Sequence, residues 1–409
     1  MLLLRARGRR SFIYPCMKTH KLLFLILPIA FLIVLNACEQ HAKKTSTKTT
    51  KDSTIIIKHK GDTIIKEKIV VVHEETIIRE EKEENKTVGK KGTHSEDPLP
   101  SWNDSDSKSR ITDFVTGVTT PGSADYVPSE NRIATFDNDG TLWSEKPTYF
   151  QIEFVLYRIR QLAPQHPEWK KDKLFQAALR HDLETLRKKY GAKGIVKLMA
   201  FAQAGITTGE YEKIVHKWIT TAKHPITGRL YTEMIFQPML ELIRYLQEND
   251  FKVYIVSGGG IDFMRVWAEK VYGIPRQHIL GSIGKLDYEK ENGRPVLVKT
   301  NDIFFVNDGP GKPVAIHQII GEKPLIAFGN SDGDLQMLEW CDANKKRSLP
   351  AYIHHTDAKR EWAYDRKSQI GTLDKGLDEA AQKGWLVVDM KRDWNVIYPY
   401  EMKNMIATN

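Results

Sequence analysis

The sequence predicts an α/β fold: a parallel sheet whose polar groups cluster at the strand ends, with a helical unit inserted into it. Three stretches carry that prediction. Ile133-Ala134-Thr135-Phe136 runs into Asp137-Asn138-Asp139-Gly140-Thr141, Val253-Tyr254-Ile255-Val256 into Ser257-Gly258-Gly259-Gly260, and Leu325-Ile326-Ala327-Phe328 into Gly329-Asn330-Ser331-Asp332-Gly333-Asp334. Short, unbroken apolar runs of this kind suit strands buried on both faces. Between Thr141 and Gln237 the apolar residues recur at helical spacing instead.

In chain order, the 409 residues leave room for two to three domains. The first quarter does not read as globular. Leu22 to Leu35 is apolar apart from Pro28, follows Lys18, His20 and Lys21, and ends in Leu35-Asn36-Ala37-Cys38. The run is short for a membrane span and has the shape of a signal peptide's apolar region. Its end resembles a bacterial lipobox, which implies lipidation at Cys38, a signal peptide over 1–38 and Met17 as the natural start; an uncleaved anchor is the rival. With Cys16 removed and Cys38 lipidated, Cys341 is the one remaining thiol, which leaves no internal disulfide. Residues 39–98 are rich in Lys, Thr, Glu and Ile, and read as a low-complexity tether. A hairpin around Lys60-Gly61-Asp62 or a short helix are its two ordered options, and the β-branched residues favour strand. Lys and Arg exceed Asp and Glu by 61 to 52, a net charge of +9. Many of the basic residues fall in the leader and tether, so the charge fits an anionic membrane surface better than nucleic acid.

The folded part opens near Leu99, with a helix over 107–118 before the strand that ends at Asp137. Asp137 and Asp139 lie two residues apart past that strand, where an extended chain turns both to one side. Paired carboxylates there can hold a divalent cation and do chemistry. Gly140 lets the chain turn at once, although Asp-Asn-Asp-Gly is also good turn sequence. The apolar spacing from Phe150 to Trp218 predicts four or five helices. A helix over 238–249 precedes the second strand, and a further helix is expected near Asp262, its amides with Gly258 and Gly259 favouring an anion. Val296-Leu297-Val298 and Ile303-Phe304-Phe305-Val306 read as a hairpin about Thr300-Asn301-Asp302. Lys312 sits between glycine and a helix, with Lys299 and Lys323 as rivals. The adjacent His354 and His355 point to opposite faces of a strand and read as structural, or as supports behind a site, rather than as metal ligands.

The four pieces in this order, DxDGT, a strand-end serine, a lysine and a glycine-plus-acidic loop, resemble the haloacid dehalogenase (HAD) superfamily, and the wording around Gln237-Pro238 and Val256-Ser257-Gly258-Gly259 resembles its phosphoserine-phosphatase branch. The resemblance implies a doubly wound parallel sheet over 99–145 and 236–409, and a helical cap over 146–235. It implies a magnesium-dependent phosphatase of a small phosphomonoester. Asp137 is then nucleophile and Asp139 acid and base, with Ser257 and Lys312 on the phosphoryl group and Thr141 ordering the turn. The metal shell comprises Asp137, Asp139, Asn330 and Asp334. Asn330 stands where the family has aspartate, which leaves Asn330, Asp332 and Asp334 as competing ligands. Glu145 is near the place of the branch's substrate-reading glutamate, but its spacing is one residue short. Trp143 and Tyr149 could hold a cationic head group or pack at a hinge. A phosphotransferase or phosphomutase of this fold and a non-catalytic surface lipoprotein are the alternatives. The resulting picture is a lipid-anchored hydrolase of the bacterial cell envelope.

Overall fold

The computed structural model describes residues 65–73, 76–83 and 97–402. Cys38, the leader and the Lys60-Gly61-Asp62 turn lie outside the described residues. The chain divides into two units, Met1–Thr93 and His94–Asn409. In the first, β1 (Ile65–His73) pairs antiparallel with β2 (Thr76–Glu83). Its β-branched Ile and Val residues are paired, as at Val70↔Ile78 and Val71↔Ile77.

The second unit opens with a helix over Asp106–Thr119, capped by the Ser105 hydroxyl accepting from the Lys108 amide. Ile111, Phe114, Val115 and Val118 recur at helical spacing and are buried. Then come β3 (Ile133–Phe136), β4 (Lys252–Gly260), β5 (Ile279–Glu291), β6 (Arg294–Phe305), β7 (Ile326–Gly329), β8 (Leu349–His354) and β9 (Leu386–Asp389). They form one seven-stranded sheet in the order β6-β5-β4-β3-β7-β8-β9, parallel except for β5 with β6. The chain steps outward from β3 to β4 and β5, then returns to β7 on the other side. That reversal opens a crevice beyond the carboxyl end of β3, where ligands bind in sheets of this kind.

The insertion between β3 and β4 contains helices at Phe150–Leu162, Lys173–Leu179, Gly191–Gln203 and Thr208–Ile219, with shorter turns between them. Local chemistry starts two of these. Asp172 accepts from the Leu174 amide, and Thr207 and Glu210 form a reciprocal capping box. The first three helices share a core of Ile152, Val155, Leu156, Trp169, Phe175 and Leu198, while Tyr211, Val215, Trp218 and Ile219 of the fourth join the main core.

Two expectations are corrected. Strand β4 continues through Ser257 to Gly260, because Gly260 pairs with Ser282 on β5 after an irregularity in register; the helix that follows is only Ile261–Met264. The two short strands about Thr300-Asn301-Asp302 are one strand, β6, and the hairpin turns at Asn292-Gly293. Both of those residues have positive φ, +49° and +78°, the conformation that Asn-Gly hairpin turns adopt.

Candidate active site

Three neighbouring strands bring their carboxyl ends together. Phe136 pairs with Ile255 on one side and Phe328 on the other, and the Asp137 amide donates to the Phe328 carbonyl at 2.9 Å. Asp137 and Asn330 therefore stand just past β3 and β7, and Ser257 lies in the carboxyl-end stretch of β4 beside them. All three are buried.

Lys312 reaches into this crevice from the short helix Gly311–Ala315. Its ammonium donates to Asp137 Oδ1 at 2.6 Å, to Asp334 Oδ1 at 2.5 Å and to the Val256 carbonyl at 2.9 Å. Burial by itself would lower its pKa, but Asp137 and Asp334 raise it. The rivals are placed elsewhere. Lys299 is buried against Asp262 and the Tyr211 ring, and Lys323 donates to the Ala343 carbonyl.

The turn after β3 is held from several sides. Asp139 accepts from the Trp143 indole at 2.8 Å. Removal from water pushes its carboxyl up to about 6, against the lowering pull of Trp143 and Lys312. Asp137 is pushed up by burial and by Asp334, with Lys312 opposing. Trp143 itself is buried, stacked on Trp267 with ring centroids 4.3 Å apart and edge-to-face with Phe150 at 4.7 Å, so it packs rather than faces a ligand. Tyr149 is half-buried, with its hydroxyl toward the Gly371 amide.

The Ser257 hydroxyl oxygen accepts from the Gly259 amide at 3.1 Å, which leaves its proton free to be donated. The Gly260 amide is taken by Gln151 of the insertion at 2.7 Å. The expected amide-lined helix start is therefore replaced by an extended strand end with the Gly259 and Gly260 amides already spent.

Thr141 donates to Asn330 Oδ1 at 3.2 Å, and Asn330 Nδ2 donates to Glu145 Oε1 at 2.9 Å. Asp332 faces away from the crevice: its carboxylate accepts from the amides of Asp374, Lys375 and Gly376 and caps the helix Lys375–Lys383. Asp334 Oδ2 accepts from the Asn330 and Ser331 amides at 2.9 and 3.0 Å, so both its oxygens are engaged. Glu145 is buried, and burial pushes its carboxyl well above the usual range, with Asp139 and Asp137 adding to the shift.

The donor chemistry fits a divalent cation. Asp137, Asp139, Glu145 and Asp334 crowd one buried crevice in which Lys312 is the ammonium in direct contact. Among the described residues no three His, Cys, Asp or Glu side chains converge into a metal cage. Magnesium is held by one or two carboxylates together with neutral oxygens and water. Asp137, the Asn330 amide oxygen and a backbone carbonyl of the turn are such a set.

Sequence reasoning gave no role to Tyr364 and Gly371, and read His355 as structural or as a support behind the site. Tyr364 donates to Glu145 at 2.7 Å, and His355 Nε2 donates to the Gly140 carbonyl at 2.7 Å. They arrive from a loop beyond β8 with no motif of its own.

The family described as haloacid dehalogenase-like hydrolase matches residues 134–339, which contain every one of these strand ends. The chain belongs to this family. The HAD-like hydrolase is also similar to solved structures. One is a functionally unknown protein from Anaerococcus prevotii DSM 20548, at 16% identity and TM-score 0.47, covering 71% of this chain and 94% of that one. Others are a phosphoserine phosphohydrolase-like protein from Francisella tularensis (16%, TM-score 0.32, 62% and 99%) and a phosphoserine phosphatase in a phospho-aspartyl intermediate analogue form (16%, TM-score 0.30, 67% and 98%). Likenesses this distant carry no argument about substrate. No curated protein matches the chain.

Proposed function

We propose that this HAD-like hydrolase is a magnesium-dependent phosphomonoesterase that acts on a small phosphorylated metabolite through an aspartyl-phosphate. One observation carries the reading. A single turn presents Asp137, ion-paired to Lys312 at 2.6 Å, and two residues later Asp139, whose carboxyl titrates near 6. A nucleophile and a carboxyl able to give and take a proton thus stand side by side.

In the first step an Asp137 oxygen attacks phosphorus as the bond to the leaving oxygen breaks, and Asp139 gives that oxygen its proton. In the second, water attacks the phosphorus, Asp139 takes the water's proton and Asp137 leaves as carboxylate. Lys312 offsets charge on Asp137 and the phosphoryl group, and the free proton of Ser257 is donated to a phosphoryl oxygen. Asp137, the Asp139 backbone carbonyl and Asn330 would hold magnesium. When bound, the ion supplies positive charge between two anions. We assign Asp334 to Lys312 rather than to the metal, since its oxygens are spent on the ammonium and two amides.

The leader supports a place in the cell envelope: an apolar run ending in Leu35-Asn36-Ala37-Cys38 is the basis for lipidation at Cys38. Among the described residues no helix is long and apolar enough to cross a membrane. An anchored, outward-facing enzyme fits scavenging of external phosphomonoesters. The test is phosphate release from p-nitrophenyl phosphate by the full chain, with and without Mg2+. Release that needs Mg2+ and falls about 10³-fold or more in Asp137→Asn supports the reading; release that survives in Asp137→Asn removes it.

A further inference from the structure

Three successive carbonyls at the end of β4 are held by side chains. Lys312 donates to the Val256 carbonyl at 2.9 Å, Asn307 Nδ2 to the Ser257 carbonyl at 3.1 Å and Ser282 Oγ to the Gly258 carbonyl at 2.7 Å. We propose that Asn307 and Ser282 are positioning residues for phosphoryl transfer: they fix the two peptide planes that aim the Ser257 hydroxyl and the Gly258 amide at the phosphoryl oxygens. The assignment rests on the phosphomonoesterase reading above.

The sheet leaves this stretch without support. Val256 pairs with Leu280 and Gly260 with Ser282, so Ser257, Gly258 and Gly259 stand opposite Gly281 alone. This is a bulge on β4, and it presses on β5. A Cβ on Gly281 would meet the Gly259 carbonyl oxygen at 2.6 Å and the Ile261 amide nitrogen at 2.8 Å. Bulged residues lose their ladder partners, so buried carbonyls there need other donors.

Peptide planarity turns those donors into a means of aiming. In a trans peptide the C=O and the N–H that follows it point in opposite directions. Drawing the Ser257 carbonyl to Asn307 therefore sends the Gly258 amide the other way. Drawing the Gly258 carbonyl to Ser282 sends the Gly259 amide away from Ser282, and it meets Ser257 Oγ at 3.1 Å. That contact occupies a lone pair of the hydroxyl and limits where its proton points. The Gly259 and Gly260 amides are spent on Ser257 and Gln151, so the Gly258 amide is the glycine amide left for an anion.

The two side chains are committed to this task. Asn307 and Ser282 are both buried. Asn307 Oδ1 is buried with no partner, so the donation to Ser257 is all the hydrogen bonding its side chain does. A carbonyl only accepts, which fixes the nitrogen of that amide as the atom facing Ser257. Ser282 Oγ accepts from the Asn307 backbone amide at 3.0 Å, and this ties the pair together while leaving the hydroxyl proton for Gly258. The loop that carries Asn307 runs on into the helix Gly311–Ala315. One segment thus sets the Lys312 ammonium and the Ser257-Gly258 donors relative to each other.

The experiment is steady-state hydrolysis of p-nitrophenyl phosphate by the full chain with Mg2+, together with inhibition by orthovanadate, which takes the five-coordinate geometry of a transferring phosphoryl group. The proteins are wild type, Ser282→Ala, Ser282→Thr and Asn307→Ala. Melting reports whether each is folded. Each alanine variant is expected to lower kcat about 10- to 100-fold with KM within about threefold, since donors moved out of line are lost mainly from the transition state. Orthovanadate inhibition should weaken by a similar factor. Ser282→Thr keeps the hydroxyl, and an enclosed cavity of about 20 Å³ beside Ser282 leaves room for its methyl group. Its kcat is expected within about threefold of wild type. A packing role would lower the melting temperature and leave kcat and orthovanadate inhibition of the folded protein unchanged. That result in the alanine variants, or a folded Ser282→Thr as impaired as Ser282→Ala, overturns the proposal. Asn307→Ala decides the matter should Ser282→Ala fold poorly. A wild-type chain with no Mg2+-dependent release overturns the phosphomonoesterase reading itself, and is a distinct result.

Discussion

The Nε2 of His355 lies 2.7 Å from the carbonyl oxygen of Gly140, the residue that turns the chain after Asp139. His355 Nδ1 faces Glu361 at 3.0 Å, and the other Glu361 oxygen accepts from Ser144, on the far side of the same turn. The imidazole and its carboxylate are fully buried. His355→Leu leaves the Gly140 carbonyl and Glu361 without their partner, so it is expected to cost about 3 kcal/mol or more in urea unfolding. Phosphatase turnover should fall with it, because the turn bearing Asp139 loses its brace.

Ser257→Ala tests the phosphoryl donor. The hydroxyl accepts from Gly259 and contributes little to packing, so stability should change by less than about 1 kcal/mol. The turnover number should drop about 10²-fold, the usual loss when one donor to a developing oxyanion is removed. An unchanged rate would show that the hydroxyl does not face phosphate.

Gly140→Ala should fail for two separable reasons. Gly140 has φ +77°, which strains any side chain, and the new Cβ would sit 2.6 Å from Asn330 Cγ. The backbone strain is about 1–3 kcal/mol. Gly122→Ala is the control: its φ is +86° but a Cβ there meets nothing within 4 Å. A larger melting loss in Gly140→Ala than in Gly122→Ala, with Mg2+ binding lost only in Gly140→Ala, separates collision from strain.

His224 predicts the acid side of the stability profile. It is buried, its Nε2 faces the Lys146 carbonyl at 2.7 Å, and its Nδ1 accepts from the Ile226 and Thr227 amides. That geometry requires the neutral ring. Burial lowers its pKa below the ordinary 6.5, while the Lys146 carbonyl, Glu361 and Glu153 pull the other way. Above 6.5 the ring is neutral folded and unfolded alike, and its stability is fully present. As pH falls from 6.5 through the lowered folded value, the unfolded chain takes the proton first and stability is lost. Urea midpoints between pH 5 and pH 8 should show this fall, and His224→Asn should flatten it.

Much of the site was legible because its residues follow strands. An apolar run predicts a buried strand and hence which residue stands at its end, so Asp137, Ser257 and Asn330 could be placed without coordinates. The turn of the β5–β6 hairpin was misplaced although Asn292-Gly293 is a strong signal, because the polar Thr300-Asn301-Asp302 broke the apolar pattern within one strand. The choice among lysines was also legible in part. The glycine before Lys312 marks a close approach, since a Cβ on Gly311 would meet the Val306 carbonyl at 2.3 Å.

The sequence alone determined the sheet, the order of its motifs and the chemical types at each strand end, since those depend on local apolar runs and on residues adjacent to them. The tertiary structure decided which acids serve which partner. Asp332 and Asp334 are two residues apart, yet one caps a helix and the other pairs with Lys312, while Glu145 comes from another loop to meet Asn330. Those pairings are set by distances of about 3 Å between segments far apart in the chain, and only packing of the whole core brings such segments together.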